Sequence, residues 1–502
     1  MRVPTSQDIA TLGQEFGIKI DKSELEAVQE QVEENIQGLA QVRQLSVLSS
    51  ESPDIGARSW AEPDTTPYNS IVVRCDVPAK PGTGQKLSDT TIGVKDIIAV
   101  AGVPMQCGSS AMEGYIPGQD ATVVDRLRGA GGSITAKTNL DEFAGGARGV
   151  SHFGQMKNPH DPDHIPGGSS GGSAIAVQTG DVDVALGTDT GGSVRLPASH
   201  CGIVGMKPTY GLVPLSGVVE NTYTLDHVGP MAETVSMAAT VLELIAGKDP
   251  TDPASMQAAG KDAYSVGGYT EAVASPPDVS ELTLGVILEG VGEGTAEHEV
   301  DTEIIARTRA ATEQLADAGA EVVEVSIPHY ELAGPIKYAQ SYTELAAHWR
   351  AKGAQYRRGG SVDPQYQASL ARNIEASSAE VNPYYRARLI TGAHLIKNHQ
   401  SRHYAHAITA GNELANEFDA ASDGVDALVS PTTPSTAPTI DESKTPGYAY
   451  ARNTNVANIT GRPEITLPNG TVSGLPVGIH LLGEEFTDAK RLGISAAVEA
   501  TL

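Results

Sequence analysis

The chain has 502 residues, of which 62 are acidic and 35 basic, so its formal net charge at pH 7 is −27. This charge, in a sequence without a long basic patch, excludes a protein that binds nucleic acid through a positively charged surface. The acidic, lysine-poor composition is typical of folded enzymes from a high-salt cytoplasm, where ions screen the repulsion among like charges.

The cysteines and the hydropathy of the chain indicate its compartment. Cys75, Cys107 and Cys201 cannot all pair with one another, and their spacing is not that of metal ligands. We therefore expect free, buried thiols in a reducing cytoplasm. The sequence shows neither a secretory signal nor an apolar run of membrane-spanning length. These features predict a cytoplasmic protein that does not bind a membrane.

The N-terminal part of the chain is predicted to be helical. Residues Ser6 to Leu48 are rich in Glu, Gln and Ala, with apolar residues at helical spacing, and a Glu/Ser/Pro-rich linker follows from Ser49 to Asp64. We therefore predict an N-terminal helical arm and linker over residues 1–64. The second predicted domain comprises residues 65–502.

Helices and strands alternate through the second domain. The pattern predicts helices at Asp120–Arg128 and before Gly319, and strands at Ser133–Lys137, Leu282–Leu288 and Val322–Ile327. This alternation favours a single large α/β domain, in which a central, mixed, twisted sheet is covered by helices. Asp249–Ser280 is a polar excursion punctuated by prolines. Residues 342–421 have helical character and are predicted to form a roof over a pocket.

Two glycine-rich loops carry serines in the middle of the chain. Gly167–Ser173 precedes an apolar helical segment, and Gly187–Arg195 leaves directly from a strand with alternating apolar residues. Glycines allow backbone N–H groups to approach a ligand, so a serine among them has both a nucleophilic oxygen and donors for an oxyanion. Upstream, Lys95 ends the short apolar strand Thr91–Asp96. These three segments are the candidate site.

Three chemistries compete for the loops. A phosphate-binding nest would use Gly167–Gly172, but neither the G-x-G-x-x-G spacing nor a Gly-Lys-Ser/Thr ending is present. A hydrolase elbow would use Ser170 as nucleophile with His227 or His480, but it leaves the second loop without a role.

The third chemistry uses Ser193 as nucleophile, Ser169 as a relay hydroxyl and Lys95 as base. A hydroxyl needs a base within hydrogen-bond reach. A lysine can serve only when it is neutral, so its pKa must fall from about 10.4 towards 7 or 8. This mechanism requires that Lys95 be buried and have no direct carboxylate partner.

Taken together, these residues resemble the amidase signature family of serine hydrolases, which use a Ser/cis-Ser/Lys triad. The resemblance spans almost the whole chain beyond the helical arm and rests on the two serine loops together with Gly93–Asp96, Asp120–Val124, Lys137–Phe143, Cys201–Thr209, Leu225–Pro230, Ser430–Thr432 and Gly474–Gly478. It implies that Ser193 forms the acyl-enzyme, that Ser169 follows a cis peptide bond, and that Lys95 is the base.

The resemblance implies further roles around this triad. The oxyanion hole would consist of the backbone N–H groups of Thr190, Gly191, Gly192 and Ser193, and the acyl side of the substrate would be lined by Ala144, Gly145 and Gly146. Asp189 and Arg195 are expected to brace the nucleophile loop through an ion pair. No metal or organic cofactor is implied.

Within the family, the helical arm and segments such as Val100–Met105 look like broad-specificity amidases, which release ammonia from small carboxylic acid amides. The main alternative is the A subunit of the glutamyl/aspartyl-tRNA amidotransferase, which passes ammonia to a partner protein. The aspartate that anchors its substrate falls at Ala451 in this chain, which weakens that alternative. A binding protein on the same scaffold is a third possibility, although no triad position is lost. A homodimer built on the N-terminal helices is also expected from the resemblance.

Overall fold

The computed structural model describes residues 3–48, 55–63, 66–82, 84–293, 300–354, 363–376, 380–444 and 450–502. By its internal contacts the chain divides into two compact units, Met1–Asp54 and Ile55–Leu502. The predicted linker over 49–64 falls partly outside the described residues. No helix in the described part of the chain is long and apolar enough to cross a membrane.

The first unit contains two helices, α1 (Ser6–Glu15) and α2 (Leu25–Leu48). Thr5 begins α1 with a reciprocal cap, because its hydroxyl accepts the N–H of Asp8 while the Asp8 carboxylate accepts the N–H of Thr5. The helix ends at Gly17, whose positive φ of 70° suits a residue without a side chain. The predicted helical arm is therefore made of two helices.

The second unit is built on a large mixed sheet, which confirms the predicted fold class. Twelve of the fourteen described strands form this sheet in the order β1-β2-β4-β3-β7-β9-β8-β13-β14-β12-β10-β11, and β5 and β6 form a separate hairpin. The strands are β1 (Ser59–Ala61), β2 (Ile71–Val77), β3 (Thr91–Lys95), β4 (Ser133–Thr138), β5 (Val150–Ser151), β6 (Gly154–Gln155), β7 (Val184–Asp189), β8 (Val204–Lys207), β9 (His227–Ala232), β10 (Thr283–Ile287), β11 (Glu321–Val325), β12 (Ala427–Pro431), β13 (Glu464–Val472) and β14 (Leu475–Leu482).

Helices cover this sheet. They are α3 (Thr122–Gly129), α4 (Gly171–Gln178), α5 (Arg195–Cys201), α6 (Val235–Ile245), α7 (Pro253–Ala258), α8 (Tyr269–Ala274), α9 (Thr302–Asp317), α10 (Ala333–Arg350), α11 (Pro364–Ala376), α12 (Pro383–His399), α13 (Arg402–Ser422), α14 (Asn455–Ile459) and α15 (Asp488–Thr501). The helices and strands predicted from periodicity are confirmed with ends shifted by one or two residues. The polar excursion holds two short helices, α7 and α8.

The helical region near the C-terminal third begins earlier than the sequence suggests. The sequence predicts it from residue 342, but α10 starts at Ala333 and α13 ends at Ser422. Helix α10 packs against α12, α13 and α14. This packing brings residues of α10 close to α14, which precedes β13.

Two parallel neighbours in the sheet, β3 and β7, bring the candidate residues together. Val94 lies opposite Leu186 in their register, and both side chains are buried. The carboxyl ends of parallel strands meet at the same sheet edge. Lys95 at the end of β3 therefore lies beside Thr188 near the end of β7, where the second serine loop begins.

The three cysteines are free, as expected. Cys107 and Cys201 are buried, while Cys75 is half-buried on β2. Cys75 Sγ donates to the carbonyl oxygen of Ile134 across the β2–β4 ladder. None of the three belongs to the candidate site described below.

Candidate active site

The amine of Lys95 is enclosed by hydroxyl groups. The side chain is fully buried, and Nζ lies 2.8 Å from each of Ser169 Oγ, Ser170 Oγ and Thr188 Oγ1. Within the described ranges, no carboxylate oxygen lies in ion-pair contact with it. Both conditions that the sequence argument placed on Lys95 are present in the structure.

Burial shifts the pKa of Lys95 into the range where a lysine can act as a base. Removal from water disfavours the charged form and lowers the pKa to about 7. The negative charges of Asp141, Asp189 and Asp226 act in the opposite sense, but none of them touches the amine. A pKa in this range makes the neutral, proton-accepting form of Lys95 accessible near neutral pH.

The first serine loop places three hydroxyls behind the site. The peptide bond between Gly168 and Ser169 is cis. Ser170 Oγ lies against Lys95 and also donates to the Thr188 carbonyl oxygen over 3.1 Å. Ser173 Oγ contacts Thr138 Oγ1 at 2.7 Å and donates to the Leu186 carbonyl oxygen. Ser170 and Ser173 thus tie the loop and the start of α4 to the sheet.

Ser193 is the serine that reaches the surface of the site. Its exposed fraction is 9 %, whereas Ser169, Ser170 and Ser173 are each 0 % exposed. The Ser193 carbonyl oxygen accepts the N–H of Ser170 over 3.2 Å, which joins the two loops. Among the described residues Ser193 Oγ makes no hydrogen bond to Ser169 Oγ, so the link between nucleophile and relay hydroxyl is open in this conformation.

Asp189 organises the second loop. Its carboxylate accepts the N–H of Gly192 over 2.7 Å and that of Val194 over 3.0 Å, and Arg195 Nη2 lies 2.8 Å from Asp189 Oδ1. Although burial opposes ionisation, the Arg195 guanidinium holds the pKa of Asp189 well below its usual range. The predicted ion pair between Asp189 and Arg195 is confirmed, and it fixes the loop backbone.

A buried charge network extends from this ion pair into the sheet. Arg195 Nη1 lies 2.7 Å from Glu464, whose carboxylate also lies 2.6 Å from His480 Nδ1. His480 Nε2 is 2.6 Å from Ser430 Oγ. Arg195, Glu464, His480 and Ser430 are each 0 % exposed. The chain of contacts holds the second loop against β12, β13 and β14.

Three of the four predicted oxyanion donors are available. The N–H groups of Thr190, Gly191 and Ser193 have no hydrogen-bond partner within the described part of the chain. The N–H of Gly192 differs from the prediction, because it donates to Asp189. Gly192 instead serves the loop geometry: its φ is 117°, and a Cβ there would lie 2.2 Å from Thr454 Oγ1.

The predicted substrate-lining segment lies beside the first serine loop. Asp141, which precedes it, donates its N–H to the Ser169 carbonyl oxygen over 3.2 Å. Ala144 has a positive φ of 55°. A Cβ on Gly146 would lie 2.6 Å from Asp141 Oδ1, and one on Gly145 would lie 2.2 Å from the Tyr385 ring. Glycine at both positions therefore lets Asp141 and helix α12 approach closely.

The two histidines of the hydrolase-elbow alternative do not contact Ser170. His227 Nδ1 lies 2.7 Å from the Leu225 carbonyl oxygen, and its Nε2 lies 3.3 Å from Lys207 Nζ. His480 lies between Glu464 and Ser430. The hydrogen-bond partner of Ser170 that could accept a proton is Lys95, so the elbow lacks its histidine base.

The structure adds Thr188 and Asp141 to the site, neither of which the sequence argument assigned a role. Thr188 belongs to the second glycine loop, two residues before Thr190. It continues the alternation of the preceding strand, so its position beside the site could have been predicted from the sequence. The contact of Asp141 with Gly146 and with Ser169 depends on the geometry of the loops. No pattern in the neighbouring sequence indicates it.

Comparison with known proteins places this geometry in context. The family model described as Amidase matches residues 79–492. The A subunit of the glutamyl-tRNA(Gln) amidotransferase of Halobacterium salinarum is 39% identical over 419 residues, which cover 82% of this chain and 95% of that protein.

Solved structures of other proteins are similar to this chain in both fold and sequence. The A subunit of the glutamyl-tRNA(Gln) amidotransferase of Thermotoga maritima superposes with a TM-score of 0.68 at 31% identity, covering 86% of this chain and 87% of that one. The native peptide amidase of Stenotrophomonas maltophilia superposes with a TM-score of 0.68 at 32% identity, covering 83% of each chain. The similarity extends over most of the length of both proteins.

Proposed function

This chain belongs to the amidase signature family, and we propose that it hydrolyses a carboxamide to a carboxylic acid and ammonia through an acyl-enzyme on Ser193. The observation that carries this proposal is the enclosed amine of Lys95, 2.8 Å from Ser169 Oγ and without a carboxylate partner in the described residues. Ser193, with an exposed fraction of 9 % against 0 % for the other serines of the two loops, is the hydroxyl that we propose to meet the substrate.

The reaction begins with proton transfer. Ser193 Oγ attacks the amide carbonyl carbon as its proton passes to Ser169, and the Ser169 proton passes to the neutral amine of Lys95. The negative oxygen that forms is stabilised by the free N–H groups of Thr190, Gly191 and Ser193. The proton then returns through Ser169 to the amide nitrogen, the C–N bond breaks and ammonia leaves. Water hydrolyses the ester through the same relay.

This mechanism requires one rearrangement of the nucleophile. Ser193 Oγ must come within hydrogen-bond distance of Ser169 Oγ to complete the relay. Catalytic hydrogen bonds are often open without substrate and close in the complex. The backbone hydrogen bond from Ser170 N–H to the Ser193 carbonyl oxygen keeps the two loops adjacent.

Two versions of this function differ in the amide and in the fate of the ammonia. The similarity to the A subunits of amidotransferases, at 39% and 37% identity, favours a glutaminase that supplies ammonia to a partner protein. The similarity to peptide amidase, at 32%, is compatible with an amidase that works alone. Ala451, where the resemblance places a substrate-anchoring aspartate, speaks for the second version.

The triad is tested by three variants of the purified chain. We expect Ser193→Ala and Lys95→Ala each to reduce ammonia release by at least about 1,000-fold. The nucleophile and the base act in one proton relay, so the loss of either residue stops the reaction. His227→Ala should keep most of the activity, because His227 contacts backbone oxygens and Lys207 rather than the reacting serines. Loss of activity in His227→Ala with a normal melting temperature would instead support a histidine-based mechanism.

The two versions are separated by the substrates of the lone chain. Benzamide, propionamide and glutamine are each offered without a partner protein, and ammonia is measured. Rapid turnover of the simple amides identifies an amidase that works alone. Turnover of glutamine only, increased when the other amidotransferase components are added, identifies the glutaminase. Tight binding of amides without any turnover would identify a binding protein on this scaffold.

A further inference from the structure

A cavity of about 210 Å³ lies where the α13–β12 connection meets the β14–α15 connection. It is lined by Ser422, the last residue of α13, by Gly483, which follows β14, and by Arg491 of α15, among others. Its lining includes none of the residues that form the candidate active site. The cavity is therefore a second candidate binding site.

The guanidinium group of Arg491 is only partly satisfied by the protein. The side chain is 2 % exposed, and Nη2 donates to the carbonyl oxygen of Asp426 over 2.8 Å. In the described part of the chain Nε and Nη1 have no hydrogen-bond partner, and no carboxylate oxygen lies within ion-pair distance of the group. A guanidinium has five N–H groups and stays charged. Most of these donors are thus buried and unused.

The loss of water around Arg491 is not compensated by the charges nearby. Burial lowers the pKa of Arg491 to about 10, although three neighbouring carboxylates act in the opposite sense. A buried charge without a direct partner is costly. This arrangement points to a ligand that carries negative charge and accepts hydrogen bonds.

The lack of a side chain at Gly483 leaves space beside this guanidinium. A Cβ on Gly483 would lie 2.6 Å from both Nε and Nη2 of Arg491. The φ of Gly483 is not positive, so its backbone conformation does not require glycine. Glycine here keeps open the edge of the guanidinium that pairs with two oxygens of one ligand.

The hydroxyl of Ser422 adds another donor to the cavity. Ser422 is 8 % exposed, and its Oγ is buried without a hydrogen-bond partner among the residues that the structure describes. A hydroxyl can donate its proton to an anion. The cavity thus combines a cation and a neutral donor, neither of which is saturated by the protein.

The rim of the cavity limits the charge of the ligand. Lys490 Nζ lies 2.8 Å from Asp426 Oδ1, so these two charges offset each other. Asp423 and Glu484 are exposed at the rim and repel a second negative charge on a ligand. A carboxylate carries a single charge and two oxygens that match a guanidinium, and it suits this cavity better than a doubly charged phosphate or sulfate.

We propose that Arg491 and Ser422 form a binding site for the carboxylate of a small organic acid. The carboxylate accepts hydrogen bonds from the guanidinium and from the hydroxyl, and it occupies the space beside Gly483. A water molecule takes about 30 Å³, so the cavity has room for an acid of about five or six non-hydrogen atoms, such as propionate or butyrate. The site is independent of the proposed hydrolysis at Ser193.

The first test is calorimetric titration of propionate into the full chain at constant ionic strength. We expect Arg491→Met and Gly483→Ala each to weaken binding at least about 10-fold, the usual effect of losing hydrogen bonds to a charged group. The alanine methyl fills the space that the carboxylate needs. Gly118→Ala is the matched control, because Gly118 is exposed and a Cβ there meets nothing within 4 Å. The neutral 2-butanone, which has as many non-hydrogen atoms as propionate, should not bind.

The outcomes against the proposal are distinct. Propionate that does not bind the unaltered chain overturns it. Equal affinity in the unaltered chain and in Gly483→Ala also overturns it, because the carboxylate then binds elsewhere, for example beside Ser193. Neither measurement involves hydrolysis, so the result does not depend on whether the proposed function is correct.

A second test measures the melting temperature. Propionate at about ten times its Kd should raise the melting temperature by about 2 °C relative to NaCl of equal ionic strength. The rise should disappear in Arg491→Met and persist in Arg350→Met, which removes an exposed arginine at the end of α10. A rise that persists in Arg491→Met overturns the proposal. A larger rise with phosphate or sulfate than with propionate, lost in Arg491→Met, would contradict the choice of a carboxylate.

Discussion

At the scale of single residues, the environment of Lys95 determines what the amine can do. An exposed lysine is protonated at neutral pH and cannot accept a proton, whereas Lys95 is buried among hydroxyl groups and has a pKa lowered to about 7. Three oxygen atoms at 2.8 Å orient the amine towards the serine loops without neutralising it. Lys137, by contrast, has a direct carboxylate partner, because its Nζ lies 2.7 Å from Asp96 Oδ1.

The pH dependence of activity follows from this environment. Because the proposed base is the neutral amine of Lys95, kcat/KM for a neutral amide should rise with pH, reach half its maximum near pH 7 and level off above about pH 8. Rate profiles with butyramide between about pH 5.5 and 9 test this. Lys337 is a second buried lysine, on helix α10, and burial lowers its pKa to about 7 as well. Lys337→Met should leave the midpoint unchanged. A profile that falls with rising pH would contradict a lysine base.

Residue chemistry could be predicted from the sequence only where it is local. The serines stand among glycines, and Lys95 ends an apolar strand, so their chemistry is suggested by neighbours in sequence. The engagement of the Gly192 N–H by Asp189 could not be predicted, because it depends on the turn taken by the loop. The burial of Lys337 on α10 could not be predicted either, because a lysine on a helix is ordinarily solvated.

At the scale of elements, β7 and α5 act as one unit around the second loop. Asp189 ends the strand, Arg195 begins the helix, and the ion pair between them closes the loop. Glu464 of β13 provides the second carboxylate for Arg195 at 2.7 Å. The helix and strand pattern of these elements is evident from hydrophobic periodicity. The contact with β13 is not, because it joins segments far apart in sequence.

Removal of Arg195 should therefore destabilise the whole unit. Arg195→Met leaves Asp189 and Glu464 buried without their cation, which should lower the free energy of unfolding by about 3–5 kcal/mol. The half-buried Arg309 at the protein surface, paired with Glu293 and Glu324, is the control, and Arg309→Met should cost less than about 1 kcal/mol. Urea unfolding followed by circular dichroism measures both. Similar losses for the two variants would show that the buried network contributes little.

At the scale of the whole molecule, net charge is the dominant unusual property. A formal charge of −27 spread over a folded chain creates repulsion that favours expanded states. Salt at molar concentration shortens the screening length to about 3 Å and removes most of this repulsion. The net charge follows from the amino-acid composition alone, so a dependence of stability on salt can be predicted without the structure.

The melting temperature should accordingly rise by several degrees between low salt and about 2 M KCl, and amide hydrolysis should be faster at the higher concentration. Equal ionic strength supplied as NaCl is the control, because general screening predicts the same increase with either salt. Melting temperature and activity that do not change with KCl would show that the acidic surface is not an adaptation to salt.

The buried contacts among Ser430, His480 and Glu464 have the order of a serine, a histidine and a carboxylate, at spacings typical of hydrolytic enzymes. All three are sealed from water, so no acyl donor can approach that hydroxyl and no product could leave. The molecule thus contains two groups of residues in which a serine lies close to a basic side chain, and the difference in burial favours the proposed chemistry at Ser193. Interatomic spacing is a poor guide to reactivity unless the path that a reactant must travel is considered with it.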